Sequence, residues 1–331
     1  MTRTTKITTI AFGAILALSA CTTGNSSSNS ATSSEGEAAG SDNKSIAFVQ
    51  GVAGDEFYIS MECGIKEKAA ELGYEVSTRG PQKFDPTLQK PIVDSVTASK
   101  PAALLIAPTD VQAMQAPLKQ AADAGIKVVL VDTTVNDPSF AVSQISSDNE
   151  GGGAAAFEAI AEAKPDGGKV LVISTDPGIS TVDARVKGFE EAAGANSAYS
   201  YLGVQYSHND PATAANLVSS ALQKDPDIVG IFATNLFAAE GSASGVRQAG
   251  KEGITIVGFD AGPNQIKALE AGTVQALVAQ QPATIGMDGV TQADAALSGG
   301  TVEAEIQTGF TIITQENLTG EGADAVYKSS C

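Results

Sequence analysis

The chain carries the same strand-helix-strand pattern twice. One copy lies in residues 100–132 and the other in residues 225–260, and each reads as an apolar segment, a helical segment and a second apolar segment. The run VVLV at 128–131 has no alternating polar face, which is typical of a strand buried on both sides in a parallel sheet. Each copy is therefore predicted to be a β-α-β unit, and the chain to be an α/β protein with two similar lobes.

The four apolar segments all end in a carboxylate or an amide: Asp110, Asp132, Asn235 and Asp260. Ligands of open α/β sheets bind outside the carboxyl ends of the strands, so two such lobes predict a cleft lined from both sides.

Asp132 and Asp260 hold matching places in the two copies, and a carboxylate can accept two hydroxyl hydrogen bonds at once. We predict that both bind the ligand, with capping of the following helix as the alternative. Asn235, which has donors and acceptors, is a further predicted ligand. Asp110 follows a turn at Pro108 and Thr109, which favours a capping role there.

Length and charge limit the class of protein. The 331 residues, 43% of them hydrophobic and 18% charged, are enough for two domains that each have a core. With 38 acidic against 20 basic residues the formal net charge is -18. Nucleic acid and an anionic membrane surface would be repelled, so nucleic acid is not expected as a partner.

Residues 1–20 have the parts of a secretory signal peptide: basic Arg3 and Lys6, an apolar stretch at 7–18, and small residues after it. The apolar stretch is shorter than the roughly 20 residues needed to span a bilayer. LSAC at 18–21 resembles the bacterial lipobox, which predicts lipidation of Cys21. An ordinary signal peptide with a chance cysteine is the alternative.

The lipidated cysteine and a linker rich in Ser, Gly and Asn fill residues 21–43, which predicts a flexible tether. The domain is then expected outside the cytoplasm, anchored to the bacterial cell membrane.

Cys63 and Cys331 remain once Cys21 is assigned to lipid. In an exported chain an even pair is consistent with a disulfide, which would pin the tail to the first lobe. Two unpaired thiols are the alternative.

Residues suited to catalysis are scarce. The single histidine, His208, excludes a multi-histidine metal site, and Cys63 and Cys331 lie too far apart for a zinc-ligand pair. No nucleophile elbow, P-loop or dinucleotide fingerprint occurs. We therefore expect no cofactor, no metal and no enzyme activity. A glycine cluster at 151–153 is predicted to mark the first crossing between the lobes.

The predicted first lobe comprises residues 44–147 and 282–309, and the second comprises 148–281 and 310–331. The last helix, 284–297, is expected to pack on the first lobe, which requires further crossings near 280–282 and 308–310. Three crossings close together would form a hinge.

A family resemblance is carried by eight short motifs in a fixed order, each weak alone. Residues 45–285 resemble the ribose-binding family of type I periplasmic binding proteins, the extracytoplasmic receptors of ATP-driven sugar importers. The motifs are GDEFY (54–58), PTD (108–110), VD (131–132), SDN (147–149), RVKGF (185–189), ATN (233–235), GFD (258–260) and AQQP (279–282).

The resemblance implies two Rossmann-like lobes with parallel sheets and a three-crossing hinge. It also implies that Asp55, Phe57, Tyr58, Arg185 and Gln280 bind the ligand, the rings by stacking on the apolar face of a pyranose.

Ribose binders place an arginine directly after the aspartate that matches Asp132, and this chain has Thr133. We expect Thr133 at the ligand too, where a short hydroxyl reshapes the pocket and argues against ribose.

The sequence thus predicts a monomeric solute-binding lipoprotein that captures a small neutral sugar or sugar alcohol by lobe closure. It would deliver the ligand to the membrane permease of an ABC importer. One alternative is a sensor that signals to a membrane kinase or chemoreceptor. A second is a secreted hydrolase that uses Asp132 and Asp260 as a carboxylate pair.

Overall fold

The computed structural model describes residues 43–320 and 322–331, which contain two six-stranded sheets flanked by helices. The predicted signal peptide, Cys21 and residues 22–42 of the predicted linker lie outside the described residues. Within the described part of the chain, no helix is both long and apolar enough to cross a bilayer.

The first sheet has the strand order β11-β5-β4-β3-β1-β2, and all its strand pairs are parallel. β3 and β4 are apolar and buried throughout or nearly so, as their unbroken apolar runs predict. Its elements in chain order are β1 (Ser45–Val49), α1 (Glu56–Leu72), β2 (Glu75–Arg79), α2 (Pro86–Ser99), β3 (Ala103–Ile106), α3 (Gln115–Asp123), β4 (Lys127–Val131) and β5 (Ser143–Ser147).

The second sheet repeats this arrangement with the order β12-β10-β9-β8-β6-β7, and only its edge strand β12 is antiparallel. Its elements are α4 (Asn149–Ala163), β6 (Gly168–Ser174), α5 (Ser180–Ala195), β7 (Tyr199–Tyr206), α6 (Pro211–Lys224), β8 (Ile228–Ala233), α7 (Leu236–Ala249), β9 (Thr255–Phe259), α8 (Pro263–Glu270) and β10 (Ala276–Ala279).

The described chain passes between the sheets three times. It crosses at Asp148, between β5 and α4, and again between β10 and α9 (Pro282–Ser298), which packs on α1 and β4 of the first sheet. The third passage joins β11 (Glu305–Thr308) to β12 (Thr311–Ile313). The predicted fold class, two lobes joined by a three-crossing hinge, is confirmed.

The sequence analysis predicted that the glycine cluster marks the first crossing, and this prediction is wrong. The cluster lies inside the first turns of α4. The physical reason is close packing. A Cβ at Gly153 would lie 2.0 Å from the carbonyl oxygen of Arg185, and one at Gly152 would lie 2.8 Å from the ring of Phe259. The glycines therefore let α4 approach α5 and β9, which fixes the position of Arg185.

The C-terminal segment contains a 3₁₀ helix, Ala323–Ala325, and ends against α1. There the backbone amide of Lys328 donates to the Ser60 hydroxyl at 2.7 Å. The structure joins Cys63 and Cys331 as a disulfide with their Cα atoms 5.3 Å apart. The pairing itself stays a prediction, tested below.

Candidate binding site between the two lobes

A cavity lies between the two sheets, at the carboxyl ends of their strands. Both lobes contribute to its wall, and eight of the nine residues predicted to bind a ligand line it. The lining residues are Asp55, Phe57, Tyr58, Phe84, Asp132, Thr175, Ile179, Thr181, Val182, Arg185, Asn209, Asn235, Asp260 and Gln280.

Asp132 and Asp260 occupy the same local geometry in the two lobes. Each directly follows a central strand, β4 or β9, and each has a left-handed backbone, with φ of 65° and 78° respectively. Residues other than glycine rarely adopt this backbone conformation, and among them Asp and Asn tolerate it best. Two such residues at matching strand ends indicate a functional constraint on where these carboxylates point.

Asp260 is held by three donors. Its Oδ1 accepts hydrogen bonds from Gln280 Nε2 at 2.7 Å and from the Tyr327 hydroxyl at 3.1 Å. Its Oδ2 accepts from the backbone amide of Leu236 at 3.0 Å. Gln280 is fixed in turn because its Oε1 accepts from the Ser147 hydroxyl at 2.7 Å. This network connects the second lobe to the first crossing.

Arg185 is buried, and its side chain is fixed by hydrogen bonds and by an aromatic ring. Its Nε donates to Asn149 Oδ1 and its NH1 to the carbonyl of Thr234, both at 2.8 Å. The guanidinium lies 3.7 Å from the centre of the Phe259 ring, a cation-π contact. These bonds use two of the five guanidinium donors, so others are available to a ligand.

Three carboxylates share the cavity with this one guanidinium. Burial and the nearby Asp260 raise the pKa of Asp55 well above its ordinary value. Burial also raises the pKa of Asp132 to about 6, although Arg185 and the hydrogen bond from Tyr58 act in the opposite direction. The Tyr58 hydroxyl donates to Asp132 Oδ2 at 2.8 Å, and burial raises the pKa of that phenol, so it stays a donor.

The raised pKa of Asp132 predicts a pH-dependent stability of the empty protein. A carboxyl whose pKa rises on folding, here from 3.8 to about 6, stabilises the folded state below the lower value and loses that contribution as pH rises through the higher one. The free energy of unfolding should therefore fall between about pH 4 and 6, by on the order of 3 kcal/mol from this group. Denaturant titrations at several pH values measure it.

The matched variant is Asp132→Asn, which keeps the shape and tolerates the positive φ but cannot titrate. We expect its stability to depend less steeply on pH over the same range, and equal slopes in the two proteins would contradict the assignment. Asp132 is the smallest of the contributions that raise the pKa of Asp55, so the difference in slope between the two proteins comes mainly from Asp132 itself.

Aromatic and amide groups complete the wall. Phe57 and Tyr58 pack edge to face with their centroids 5.1 Å apart. Asn235 caps α7 through its Oδ1, which accepts from Ala238 N at 3.1 Å, and its Nδ2 donates to Asn209. Asn235 therefore combines a helix cap with a place in the cavity wall.

Thr133 is the exception among the predicted residues, because it does not line this cavity. Its buried hydroxyl donates to the carbonyl of Pro108 at 2.7 Å. The left-handed backbone of Asp132 turns the chain directly after β4, so Asp132 faces the cavity while the hydroxyl of Thr133 faces Pro108. The capping role predicted for Asp110 is present in the turn before α3, where its Oδ1 accepts from the amides of Gln112 and Ala113.

Several lining residues were missed by the sequence argument. Thr175 and Asn209 lie in the loops after β6 and β7, and Phe84 lies in the loop after β2. These loops follow the same carboxyl edge of the sheets, so the rule that selected Asp132 and Asp260 also applied to them. The missing signal was an acidic or amide residue directly at the strand end.

The two lobes are in direct contact at the cavity rim. The backbone amide of Val111 donates to the carbonyl of Gly178 at 3.1 Å, and that of Thr134 donates to the Ser180 hydroxyl at 3.0 Å. The structure is therefore that of a closed form. Across residues 43–320 and 322–331, no group of three His, Cys, Asp or Glu side chains could hold a metal ion.

Two hinged α/β lobes that enclose a polar cavity define a two-domain solute-binding protein. The model of the periplasmic binding protein domain matches residues 46–301. The chain belongs to the type I periplasmic binding proteins, in the ribose-binding-like family. It is thus an extracytoplasmic binding protein rather than an enzyme.

Curated and solved relatives agree with this assignment. The ribose import binding protein of Escherichia coli is 31% identical over 271 residues, which cover 82% of this chain and 90% of the relative. An ABC transporter solute-binding protein from Agrobacterium vitis, solved with bound α-D-tagatopyranose, is 39% identical with a TM-score of 0.84, covering 86% of this chain and 99% of that one. A second from that organism, solved with D-fucose, is 28% identical with a TM-score of 0.82, covering 86% of this chain and all of the other.

Proposed function

We propose that this protein is the substrate-binding lipoprotein of an ABC importer and that it binds a small neutral sugar or sugar alcohol by closure of its lobes. Cys21 would carry the lipid anchor and a membrane permease would receive the ligand. The import role, rather than signalling, is supported by relatives named as import or ABC transporter binding proteins.

The observation that carries the proposal is the division of the polar groups between the lobes. Asp55, Tyr58 and Asp132 belong to the first lobe, while Arg185, Asn235 and Asp260 belong to the second. Neither set alone can surround a ligand with many hydroxyl groups. Closure brings the sets together in a site where hydrogen bonds compete less with water, so the ligand selects the closed state.

The charge balance supports a neutral ligand that donates hydrogen bonds. Asp55 Oδ1 accepts from the amide of Phe57, and Asp132 Oδ2 accepts from Tyr58, which leaves one oxygen of each carboxylate for ligand hydroxyls. An acidic or phosphorylated sugar would add negative charge beside three buried carboxyl groups and only one guanidinium. Its binding is disfavoured for that reason.

A screen of thermal stability against pentoses, hexoses, sugar alcohols and sugar acids tests the proposal. A ligand that binds the folded state raises its melting temperature by mass action. We expect a stabilising shift with one or a few neutral compounds and none with their acid derivatives. Scattering should show compaction with the same compounds. If no neutral compound stabilises or compacts the protein, the proposal is wrong.

Thr175 gives a residue-level test of the site. Within the described chain, the hydroxyl oxygens of Thr78, Thr175 and Ser242 are buried without a hydrogen-bond partner, and Thr175 faces the cavity. We expect Thr175→Val to weaken sugar binding about three- to tenfold, because a hydrogen bond contributes about 0.5–1.5 kcal/mol. The empty variant should be equally or more stable, because an unpaired buried hydroxyl is removed.

Ser242→Ala is the matched control. Ser242 is also buried and unpaired, but it lies on α7 and does not line the cavity. Calorimetry should find the affinity of Ser242→Ala unchanged. Equal affinity of Thr175→Val and the wild-type protein would exclude Thr175 from the site.

A further inference from the structure

The C-terminal segment, residues 322–331 and here termed the strap, connects the lobes a fourth time. Within it the amide of Tyr327 donates to the carbonyl of Ala261 in the second lobe at 3.0 Å. The next residue, Lys328, bonds to Ser60 on α1 of the first lobe, and Cys331 is joined to Cys63 on the same helix. The three sheet-to-sheet passages are thus supplemented by a connection that ends in a disulfide.

Tyr327 is the part of the strap that reaches the binding site. Its side chain is 4% exposed. Its hydroxyl donates to Asp260 Oδ1 at 3.1 Å and accepts from the backbone amide of Gln280 at 2.9 Å. Its ring lies against Phe57 of the first lobe, with the centroids 5.9 Å apart. One side chain therefore contacts a cavity carboxylate, the hinge backbone and a cavity ring.

Burial and the nearby Asp260 raise the pKa of the Tyr327 phenol well above its ordinary value. It is therefore protonated at neutral pH, where it donates to Asp260. The hydroxyl itself is not part of the cavity wall, so any effect on a ligand passes through Asp260 and Gln280.

We propose that Tyr327 is a positioning residue of the sugar site and that the Cys63–Cys331 disulfide holds it in place. The proposal rests on the function proposed above. In the oxidised protein the strap orients the Asp260 carboxylate and the Gln280 backbone before the ligand arrives. Reduction of the disulfide frees the strap end, and the affinity for the sugar falls.

Tyr327→Phe tests the positioning role, because it keeps the ring against Phe57 and removes only the hydroxyl. We expect calorimetry to show about tenfold weaker binding of the sugar identified in the screen, since Asp260 loses a donor and Gln280 N loses its acceptor. The control is Tyr74→Phe, which removes a similar bond from Tyr74 to Asp294, 2.8 Å long and remote from the cavity. It should leave the affinity unchanged.

A double-mutant cycle tests the role of the disulfide. Tyr327→Phe is made in the wild-type protein and in the variant Cys63→Ser with Cys331→Ser. If the disulfide holds Tyr327, the loss of affinity should shrink from about tenfold to less than about threefold in the background without the disulfide, because the hydroxyl is no longer held. A strap that only stabilises the fold would lower the melting temperature of both variants without this coupling.

Wild-type protein treated with a reducing agent repeats the measurement without substitutions, should the cysteine variants fail to fold. Unchanged affinity of Tyr327→Phe would overturn the positioning role. An equal loss in both backgrounds, or free thiols at Cys63 and Cys331 in the mass spectrum of unreduced peptides, would overturn the role of the disulfide. Failure of the proposed function is distinct, because the wild-type protein would then bind no sugar.

Discussion

Replacement of Arg185 by methionine is expected to weaken sugar binding at least about 100-fold and to lower the free energy of unfolding by about 1–3 kcal/mol for each buried acceptor that it leaves unpaired. Methionine fills much of the volume of arginine, so the losses of affinity and stability can be attributed to the missing charge and hydrogen bonds rather than to a cavity. Asn149 Oδ1 and the carbonyl of Thr234 both lose their donor. Removal of the positive charge should also raise the pKa of Asp132 further, because Arg185 and the hydrogen bond from Tyr58 together oppose the effect of burial there.

Two companion variants make this test specific. Arg185→Lys keeps the charge but not the planar fork that donates to several groups at once, so its affinity should lie between those of the wild type and Arg185→Met. Arg247→Met, on the exposed part of α7 in the same lobe, should bind normally. Calorimetry and denaturant unfolding measure the effects, and wild-type affinity in a folded Arg185→Met variant would remove Arg185 from the site.

The lobes and most of the strands could be predicted because their signals are local. β3, β4, β8 and β9 are unbroken or nearly unbroken apolar runs, and in a parallel sheet such runs are buried on both faces. Their carboxyl ends meet at one edge of each sheet, which is why Asp132 and Asp260 could be selected before the structure. The weaker edge strands β11 and β12 lacked this signal, because they are short and only partly buried.

The direction of individual side chains was not available from the sequence. Thr133 follows a residue with positive φ, and its hydroxyl turns to Pro108 rather than to the cavity. The sequence motif suggested that the adjacent residues Asp132 and Thr133 both face the binding site. The path of the backbone lets only Asp132 do so. The family resemblance alone could not make this distinction.

Tyr327 shows a different limit. The family resemblance ends at residue 285, and nothing local in the tail indicates a site. The hypothesis of a disulfide between Cys63 and Cys331 already placed the tail on the first helix, close to Tyr58. A tyrosine four residues before Cys331 was thus within reach of the cavity, but only the folded path of the tail shows it between Asp260 and Gln280.

Asp260→Asn is expected to weaken sugar binding about 100-fold with a smaller loss of stability. Asparagine tolerates the φ of 78° at this position, whereas alanine would add backbone strain, so the amide variant isolates the carboxylate. The three donors from Gln280, Tyr327 and Leu236 approach both oxygens. In either orientation the new amide nitrogen faces at least one of them, and a buried donor without a partner costs about 1–3 kcal/mol.

The control for this variant is Asp294→Asn on α9, where a carboxylate also accepts a hydrogen bond from a tyrosine but lies away from the cavity. Its affinity should equal that of the wild type. The loss in Asp260→Asn should also depend on Tyr327, because the two residues share a bond: in the Tyr327→Phe background the same substitution should cost less. Additive losses would show that Asp260 acts on the ligand independently of the strap, and a loss under about threefold would place Asp260 outside the binding interaction.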